Sequence, residues 1–259
     1  PAELRARFPN PYDAEIATVD RCFGDLVSQL RASGAWDDAI VALVSDHGEM
    51  LGRKGLWFKM NFFEGSARVP LMISAPGLTP GLVTTPVSTI DLTPTLCDLA
   101  GISMEAVMPW TDGESLVPLA KGTERTSPVA MEYAAEGTIT PMVCLRQGAW
   151  KYIHCPADPD MLFDVAADPE ETTNLAGDPR VAEVLAHFQT LAQARWDLAA
   201  YDGEVRQSQA RRWVVYEALR NGAYYPWDHQ PLKLASERYM RNHMDLNVLE
   251  ENKRFPRGE

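Results

Sequence analysis

An uninterrupted apolar segment at residues 39–44, Ala-Ile-Val-Ala-Leu-Val, constrains the fold more than any other part of the sequence. Its short length and β-branched residues favour a strand, and its continuous apolar character is typical of a strand buried on both faces of a parallel sheet. Residues 13–34 precede it with apolar side chains at helical spacing and end at Gly34, which predicts an amphipathic helix. A helix followed by a buried strand predicts an α/β sandwich.

The rest of the chain divides into segments with different patterns. A second apolar run at 69–74 and helical spacing at 89–100 continue the α/β pattern. Short apolar segments between turns then predict a small antiparallel sheet, with strands at 128–133, 141–147 and 149–154. Helical spacing returns at 179–199 and at 205–221. We therefore predict three parts, namely α/β domain sequence at 1–125, a small α+β subdomain at 126–200, and a C-terminal helix and tail at 201–259.

The charge and the cysteines argue against several classes of protein. A net charge of −12 disfavours binding to nucleic acid and to anionic membranes, because both carry negative phosphates. No stretch approaches the roughly 20 apolar residues of a membrane span. The cysteines lie far apart without a CxxC pair, which fits neither a zinc site nor a disulfide framework. Since residues 1–5 also carry no signal-peptide pattern, we expect a cytoplasmic protein.

A polar segment, Ser45-Asp46-His47-Gly48-Glu49, directly follows the first predicted strand. Ligands of α/β sheets bind beyond the carboxyl ends of the strands, so Asp46 and His47 are candidate site residues. A carboxylate oxygen suits Ca²⁺ or Mg²⁺, and an imidazole can bind a metal or donate a hydrogen bond to an anion. The alternative is that Asp46 caps the following segment and His47 is an ordinary surface residue.

Lys59 lies in an aromatic-rich loop, Leu56-Trp57-Phe58-Lys59-Met60-Asn61-Phe62-Phe63-Glu64. A lysine beyond the sheet can reach an anionic substrate group as a mobile positive charge. The alternative is a solvated surface lysine. Arg68 follows Glu64 at helical spacing, which predicts an ion pair between these two side chains.

The order of these motifs resembles the second half of the formylglycine sulfatases, a family of the alkaline phosphatase superfamily. The resemblance covers residues 12–176 and includes the strand leading into Ser45-Asp46-His47-Gly48 and the segments Arg68-Val69-Pro70-Leu71, Asp91-Leu92-Thr93-Pro94-Thr95-Leu96 and Leu162-Phe163-Asp164-Val165. Residues 50–68 and 239–246 are similar to the choline-sulfatases within that family. The fold implied is part of an alkaline-phosphatase-like α/β/α sandwich, followed by the small antiparallel-sheet subdomain and the C-terminal tail.

The resemblance implies a divalent cation, with Ca²⁺ expected and Mg²⁺ or Mn²⁺ as alternatives. Asp46 and His47 match the family's metal-binding pair after a strand, and His47 is a catalytic candidate as well. Lys59 matches the lysine that contacts the sulfate and helps to protonate the leaving group. The family nucleophile is a formylglycine made from a Cys/Ser-x-Pro-x-Arg motif, which this sequence lacks. We therefore expect the N-terminal half of the same enzyme to supply the nucleophile and the remaining metal ligands.

The substrate implied is choline sulfate, whose quaternary ammonium group needs carboxylates and aromatic faces because it cannot donate hydrogen bonds. By resemblance, Glu136 is the first candidate for a choline contact, and Asp245 in the tail is a second. In the choline-sulfatases the tail reaches a neighbouring subunit, so Asp245 is expected to act in trans within a homodimer or homotetramer. Trp57 offers an aromatic face, with burial in a core as its alternative role.

Three functional hypotheses remain. The first is a sulfuric ester hydrolase that converts choline sulfate to choline and sulfate. The second is a phosphonate or phosphate monoester hydrolase of the same superfamily, which shares the Asp-His pair. The third is a non-catalytic binding or assembly module, which the missing nucleophile motif favours for the isolated chain.

Overall fold

The computed structural model describes residues 11–135 and 138–220. It divides the chain into two compact units, Pro1–Trp196 and Asp197–Glu259. We number the α-helices α1 Pro11–Ala32, α2 Glu64–Ala67, α3 Leu92–Leu99, α4 Met104–Val107, α5 Val117–Ala120, α6 Ala182–Arg195 and α7 Leu198–Arg220. The strands are β1 Val41–Val44, β2 Leu71–Ser74, β3 Val129–Tyr133, β4 Met142–Gln147, β5 Trp150–Cys155 and β6 Asp158–Asp164. Short 3-10 turns lie at Arg53–Gly55, Thr89–Asp91 and Pro179–Val181.

Strand β1 forms within the predicted segment, but its pairing is antiparallel. It pairs with β2 in an antiparallel register that runs from Val41 opposite Ser74 to Val44 opposite Leu71. The expectation of a parallel pairing is therefore wrong for these two strands, and the expectation of burial on both faces is wrong for β1 because Val44 is exposed. An apolar run predicts a strand, but it does not specify the direction of the neighbouring strand or the layers that cover it.

The second sheet is an antiparallel meander in the order β3-β4-β5-β6. Its first three strands lie within one residue of the predicted bounds, which confirms the small antiparallel sheet. Strand β6 was not predicted, because Asp158-Pro159-Asp160 has the composition of a turn and proline is unusual inside strands. A register irregularity between Ile153 and Cys155 accommodates this segment.

Alternating side chains of the second sheet build two cores. One face packs Cys144, Ile153 and Phe163 against Phe62 from the aromatic loop. Burial raises the pKa of the Cys144 thiol to about 12, so this group stays neutral and acts as a small apolar side chain. The opposite face packs its side chains against helix α6, and this second core contains Leu145, Tyr152, Leu162, Phe188 and Ala192.

A buried charge network lies on the Phe62 side of the sheet. The Lys151 ammonium is 2.5 Å from a Glu64 carboxylate oxygen and 2.8 Å from one of Glu171, and it also donates to the Phe62 carbonyl at 2.9 Å. The second carboxylate oxygen of Glu171 accepts the Glu64 backbone N–H at 2.7 Å. Lys151 is 1% exposed, so its charge is compensated by these partners rather than by water.

The Asp160 carboxylate joins strands β5 and β6 to helix α6. It accepts hydrogen bonds from the Tyr152 hydroxyl at 2.8 Å and the Gln189 amide at 2.9 Å, and His154 Nδ1 lies 2.6 Å away. Burial alone raises the pKa of this carboxyl, but the hydrogen bonds from Gln189, His154 and Tyr152 outweigh it and lower the pKa below its ordinary value.

The helical region after the sheet differs from the predicted bounds. The segment predicted as one helix at 179–199 ends at Arg195, where Trp196 takes an extended conformation. The indole N–H of Trp196 donates to the Glu132 carboxylate at 2.6 Å, and a new helix, α7, begins at Leu198. Among the described helices, none combines the length and apolar character that crossing a membrane requires.

The buried network generates a stability prediction. Lys151→Met leaves two carboxylates facing each other without a cation, and we expect the free energy of unfolding to fall by about 3–5 kcal/mol. Urea unfolding followed by circular dichroism measures the change. Lys121→Met, which removes an exposed lysine, is the matched control and is expected to have little effect. The triple variant Glu64→Gln, Lys151→Met, Glu171→Gln should recover part of the lost free energy of unfolding. An equal free energy of unfolding for Lys151→Met and Lys121→Met would contradict this account.

The Asp160 cluster generates a pH prediction. Because the folded-state pKa of Asp160 lies below its unfolded value, the carboxylate stabilises the fold above the ordinary aspartate pKa. That contribution decreases as the pH falls through the unfolded value and then the folded one. We expect Asp160→Asn to lower the free energy of unfolding by about 1–3 kcal/mol at pH 7, with a smaller difference at pH 3. Exposed Asp37→Asn is the control, and a pH-independent difference would refute the assignment.

Candidate functional site

The candidate site begins where strand β1 ends. The Asp46 carboxylate accepts the His47 backbone N–H at 2.9 Å, and the Ser45 hydroxyl donates to the His47 carbonyl at 2.8 Å. These local hydrogen bonds hold the backbone in a turn directly after the strand. The Asp46 side chain is 83% exposed, so its second oxygen is open to a ligand.

His47 and Lys59, which the sequence analysis singled out separately, are in direct contact. Lys59 Nζ lies 2.7 Å from His47 Nε2, and His47 Nδ1 lies 2.8 Å from the Gly48 carbonyl oxygen. A carbonyl can only accept, so the ring proton sits on Nδ1 and Nε2 accepts a hydrogen bond from the ammonium. The structure therefore brings Asp46, His47 and Lys59 to one place, while their catalytic and metal-binding roles stay predictions.

The two side chains after β1 are spaced as neighbouring ligands of one cation would be. Asp46 Oδ2 and His47 Nε2 are 3.6 Å apart. Two adjacent oxygen or nitrogen ligands at about 2.4 Å from a Ca²⁺ ion are separated by about 3.4 Å. Within residues 11–135 and 138–220, no cluster of three His, Cys, Asp or Glu side chains is suited to hold a metal. The pair would thus fit one edge of a coordination shell, and a metal there would compete with Lys59 for the Nε2 lone pair.

Ser66 links two segments of the site, namely the loop that contains Lys59 and the turn that follows β1. Its hydroxyl donates to the Lys59 carbonyl, and its own carbonyl accepts the Gly48 N–H at 2.7 Å. A Cβ atom on Gly48 would lie 2.2 Å from the Gly65 carbonyl oxygen, so only glycine allows this approach. Ser66 is 3% exposed and belongs to helix α2, the short helix that also contains Glu64.

The loop between the site turn and Lys59 has an unusual backbone. Leu51, Lys54 and Phe58 all have positive φ angles of 49°, 55° and 68°, a conformation that costs energy outside glycine. Phe58 is fixed by its N–H, which donates to the Glu49 carboxylate at 2.5 Å. The side chains of Trp57 and Phe58 are exposed, so the alternative of a core role for Trp57 is wrong.

Sequence reasoning missed several contacts of this site. The predicted ion pair of Glu64 with Arg68 is wrong, because Glu64 pairs with Lys151 and meets Arg68 only through a backbone hydrogen bond. Ser66 carried no signal in the sequence, since a serine inside an amphipathic segment is ordinary. Glu136 and Asp245, the predicted choline contacts, lie outside the described residues.

Two protein families have models that match this chain. The family model "Sulfatase" matches residues 2–102, and the model "Choline sulfatase enzyme C terminal" matches residues 203–255. A choline-sulfatase from Rhizobium meliloti is 61% identical over 251 residues, which is 96% of this chain and 49% of that protein. Arylsulfatase K from Xenopus laevis is 33% identical over 82% of this chain and 41% of its own length.

Solved structures of the same fold exist. The phosphonate monoester hydrolase of Agrobacterium radiobacter superposes with a TM-score of 0.60 and 31% identity over 74% of this chain and 41% of its own. This likeness confirms the predicted alkaline-phosphatase-like α/β architecture with its small antiparallel sheet. The chain spans about half the length of the curated relatives it matches. It belongs to the sulfatase family, and it corresponds to the C-terminal half of its choline-sulfatase relative.

Proposed function

We propose that this chain supplies the C-terminal part of the active site of a sulfuric ester hydrolase, and that the complete enzyme converts choline sulfate to choline and sulfate. The contact of 2.7 Å between Lys59 Nζ and His47 Nε2, beside the exposed Asp46 carboxylate, is the observation that carries the proposal. The 61% identity to the Rhizobium meliloti choline-sulfatase supports the choice of substrate.

Asp46 Oδ2 and His47 Nε2 are the two atoms that would hold a divalent cation, with Ca²⁺ as the first choice and Mg²⁺ or Mn²⁺ as alternatives. The remaining ligands and the formylglycine nucleophile belong to the N-terminal half of the enzyme. When bound, the cation withdraws negative charge from the sulfate oxygens. His47 is already oriented for this role, because its Nδ1–H is held by the Gly48 carbonyl.

Lys59 performs the step that this chain contributes. In the free site its ammonium donates to His47 Nε2, and a bound sulfate oxygen replaces that acceptor. As the bond between sulfur and the ester oxygen breaks, negative charge grows on the choline oxygen, and the Lys59 ammonium stabilises it and donates a proton to it. With Lys59 on the sulfate, His47 Nε2 would be free of the ammonium and could hold the cation.

The choline contacts, the oligomeric state and the cellular location are also proposals. Glu136 and Asp245 are proposed as carboxylate contacts of the trimethylammonium group, with Asp245 reaching a neighbouring subunit of a homodimer or homotetramer. We also propose a cytoplasmic location, which the composition favours.

A second candidate function follows from one of the solved relatives. The Agrobacterium radiobacter protein, at 31% identity, is a phosphonate monoester hydrolase, so the same scaffold serves a phosphorus centre. Turnover of a phenyl phosphonate monoester, compared with that of choline sulfate, separates the two functions. A higher kcat/KM for the phosphonate would replace the sulfatase proposal by this one.

The direct test combines this chain with the N-terminal half of a choline-sulfatase, either co-expressed or joined in one polypeptide. We expect sulfate release from choline sulfate by the combination and none by this chain alone, measured by sulfate-specific ion chromatography. No release from a preparation whose formylglycine is verified by mass spectrometry would reject the proposed function.

A substitution of the lysine is the sharpest test of its role. Lys59→Met keeps the length of the side chain and removes its charge, and we expect kcat/KM for choline sulfate to fall by about 10²–10³-fold. Ca²⁺ binding, measured by calorimetry, should be retained or tighter, because His47 Nε2 loses its competitor. Lys121→Met is the exposed-lysine control, and an equal loss in both variants would exclude a specific role for Lys59.

The Ser66 contact generates a prediction about positioning. Ser66→Ala removes the hydrogen bond to the Lys59 carbonyl, so the loop is held less firmly, and we expect kcat to fall by about 10-fold with little change in KM. Ser33→Ala also removes a hydroxyl that donates to a carbonyl, at 2.9 Å to Leu30, and serves as the control. A change in KM alone, or none at all, would show that Ser66 does not position Lys59.

A further inference from the structure

Phe58, the residue before Lys59, has a backbone conformation that its own side chain does not explain. Its φ angle of 68° lies in the left-handed region, which an aromatic residue rarely adopts unless the surrounding structure holds it there. The ring is 66% exposed, so burial of the side chain does not hold the residue in this conformation. The cause therefore lies in the contacts of the Phe58 backbone.

Both backbone groups of Phe58 are bound by the segment that follows His47. The Phe58 N–H donates to Glu49 Oε1 at 2.5 Å, and the Phe58 carbonyl accepts the Met50 N–H at 3.0 Å. Since the acceptor in the first contact is a carboxylate oxygen, this hydrogen bond is charge-assisted and stronger than one between neutral groups. Glu49 and Met50 thus hold the residue before the candidate catalytic lysine.

The same contacts restrict the backbone of Lys59 itself. Its N-terminal peptide group contains the Phe58 carbonyl that Met50 binds, and its own carbonyl accepts the Ser66 hydroxyl. A lysine side chain is long and flexible, so its ammonium group keeps one position only when the backbone from which it extends is fixed. The distance of 2.7 Å between Lys59 Nζ and His47 Nε2 therefore depends on how firmly Phe58 is held.

Another role for the Glu49 carboxylate would be that of a third metal ligand beside Asp46 and His47. Among the residues that the structure describes, however, no three His, Cys, Asp or Glu side chains are grouped to hold a metal. Glu49 Oε1 is instead occupied by the Phe58 N–H, at a distance typical of a strong hydrogen bond. The geometry therefore favours an indirect role, through the backbone of the residue before Lys59.

We propose that Glu49 is a positioning residue for Lys59, whose ammonium group it keeps against His47 by holding the Phe58 backbone. When a sulfate oxygen replaces His47 as the acceptor, the ammonium group then has little conformational freedom left to lose. Glu49 acts on the rate of the chemical step in this way without touching substrate or metal. The catalytic part of this inference rests on the proposed function, whereas the contact itself can be measured without metal or turnover.

The first experiment uses nuclear magnetic resonance on this chain alone, with isotope-labelled histidine and at a pH where the imidazole ring is neutral. The His47 Nε2 resonance reports whether its lone pair accepts a hydrogen bond from the ammonium group. Lys59→Met, which removes the donor, gives the reference position for a lost contact. In Glu49→Ala we expect the Nε2 resonance to move by at least half of the way to that reference.

Two further variants show whether the effect comes from the hydrogen bond to Phe58. Glu49→Gln keeps an oxygen acceptor on a side chain of equal length, and we expect it to retain the Nε2 resonance and the protection of the Phe58 amide from hydrogen exchange. In Glu49→Ala that protection should fall by about 10-fold or more. Asp178→Ala is the matched control, because it also removes a carboxylate that accepts a backbone N–H, that of Arg180 at 2.9 Å. Its Nε2 resonance should stay unchanged.

The second experiment measures turnover of choline sulfate by this chain combined with the N-terminal half of a choline-sulfatase. We expect kcat of Glu49→Ala to fall by about 10-fold with KM within about 2-fold, and Glu49→Gln to recover most of kcat. In Glu49→Ala, an unchanged Nε2 resonance or an unchanged kcat would overturn the proposal, as would a Gln variant as impaired as the Ala variant. Absence of turnover by the unsubstituted enzyme, with the Nε2 resonance responding as expected, would refute the proposed function and support the positioning of Lys59 by Glu49.

Discussion

The arrangement of the site depends on a lysine that has almost no contact with water. Lys151 extends from the start of strand β5 and is surrounded by the Glu64 and Glu171 carboxylates and the Phe62 carbonyl. An ammonium group in such a place is stable only while every partner stays within hydrogen-bond distance. Phe62 lies near the end of the aromatic loop, and Glu64 is the first residue of helix α2. Since both residues contact Lys151 of strand β5, the small antiparallel sheet fixes the position of the end of the loop. The sheet therefore helps to position the candidate site, although it contributes no residue to the contact of His47 with Lys59.

A second set of contacts, made by Ser66, connects helix α2 to the candidate site. Helix α2 carries Ser66, which joins the Gly48 amide on one side to the Lys59 carbonyl on the other. The turn after β1 and the lysine loop thus share one buried side chain, and Gly48 permits the close approach that this needs. Two contacts, of Lys151 with Glu64 and of Ser66 with the Lys59 carbonyl, are joined by helix α2 and connect the sheet to Lys59, which directly follows the exposed Phe58.

Local sequence patterns predicted the strand β1 and the location of the candidate site at its end, because both depend on residues that are close in sequence. The apolar run at 39–44 located β1, and its position before Asp46 and His47 predicted a site at the end of a strand. The direction of β2 was not predictable, because apolar character is the same for parallel and antiparallel neighbours. The contacts of Lys151 and Ser66 could not be predicted from the sequence either. Lys151 meets Phe62 across 89 residues of sequence, and a lysine in a strand gives no sign of burial until its carboxylate partners are known.

The strained backbone of residues 51–58 has a consequence for how this enzyme family can diversify. The Lys59 carbonyl accepts a hydrogen bond from the Ser66 hydroxyl. The side chains of Trp57 and Phe58 are exposed, and Phe58 is held through its backbone, which donates to the Glu49 carboxylate and accepts from the Met50 N–H. The aromatic side chains can therefore be exchanged without displacing the ammonium group. Residues 57 and 58 are therefore two adjacent positions at which the shape and polarity beside Lys59 can vary, by evolution or by design, while its ammonium group keeps its place.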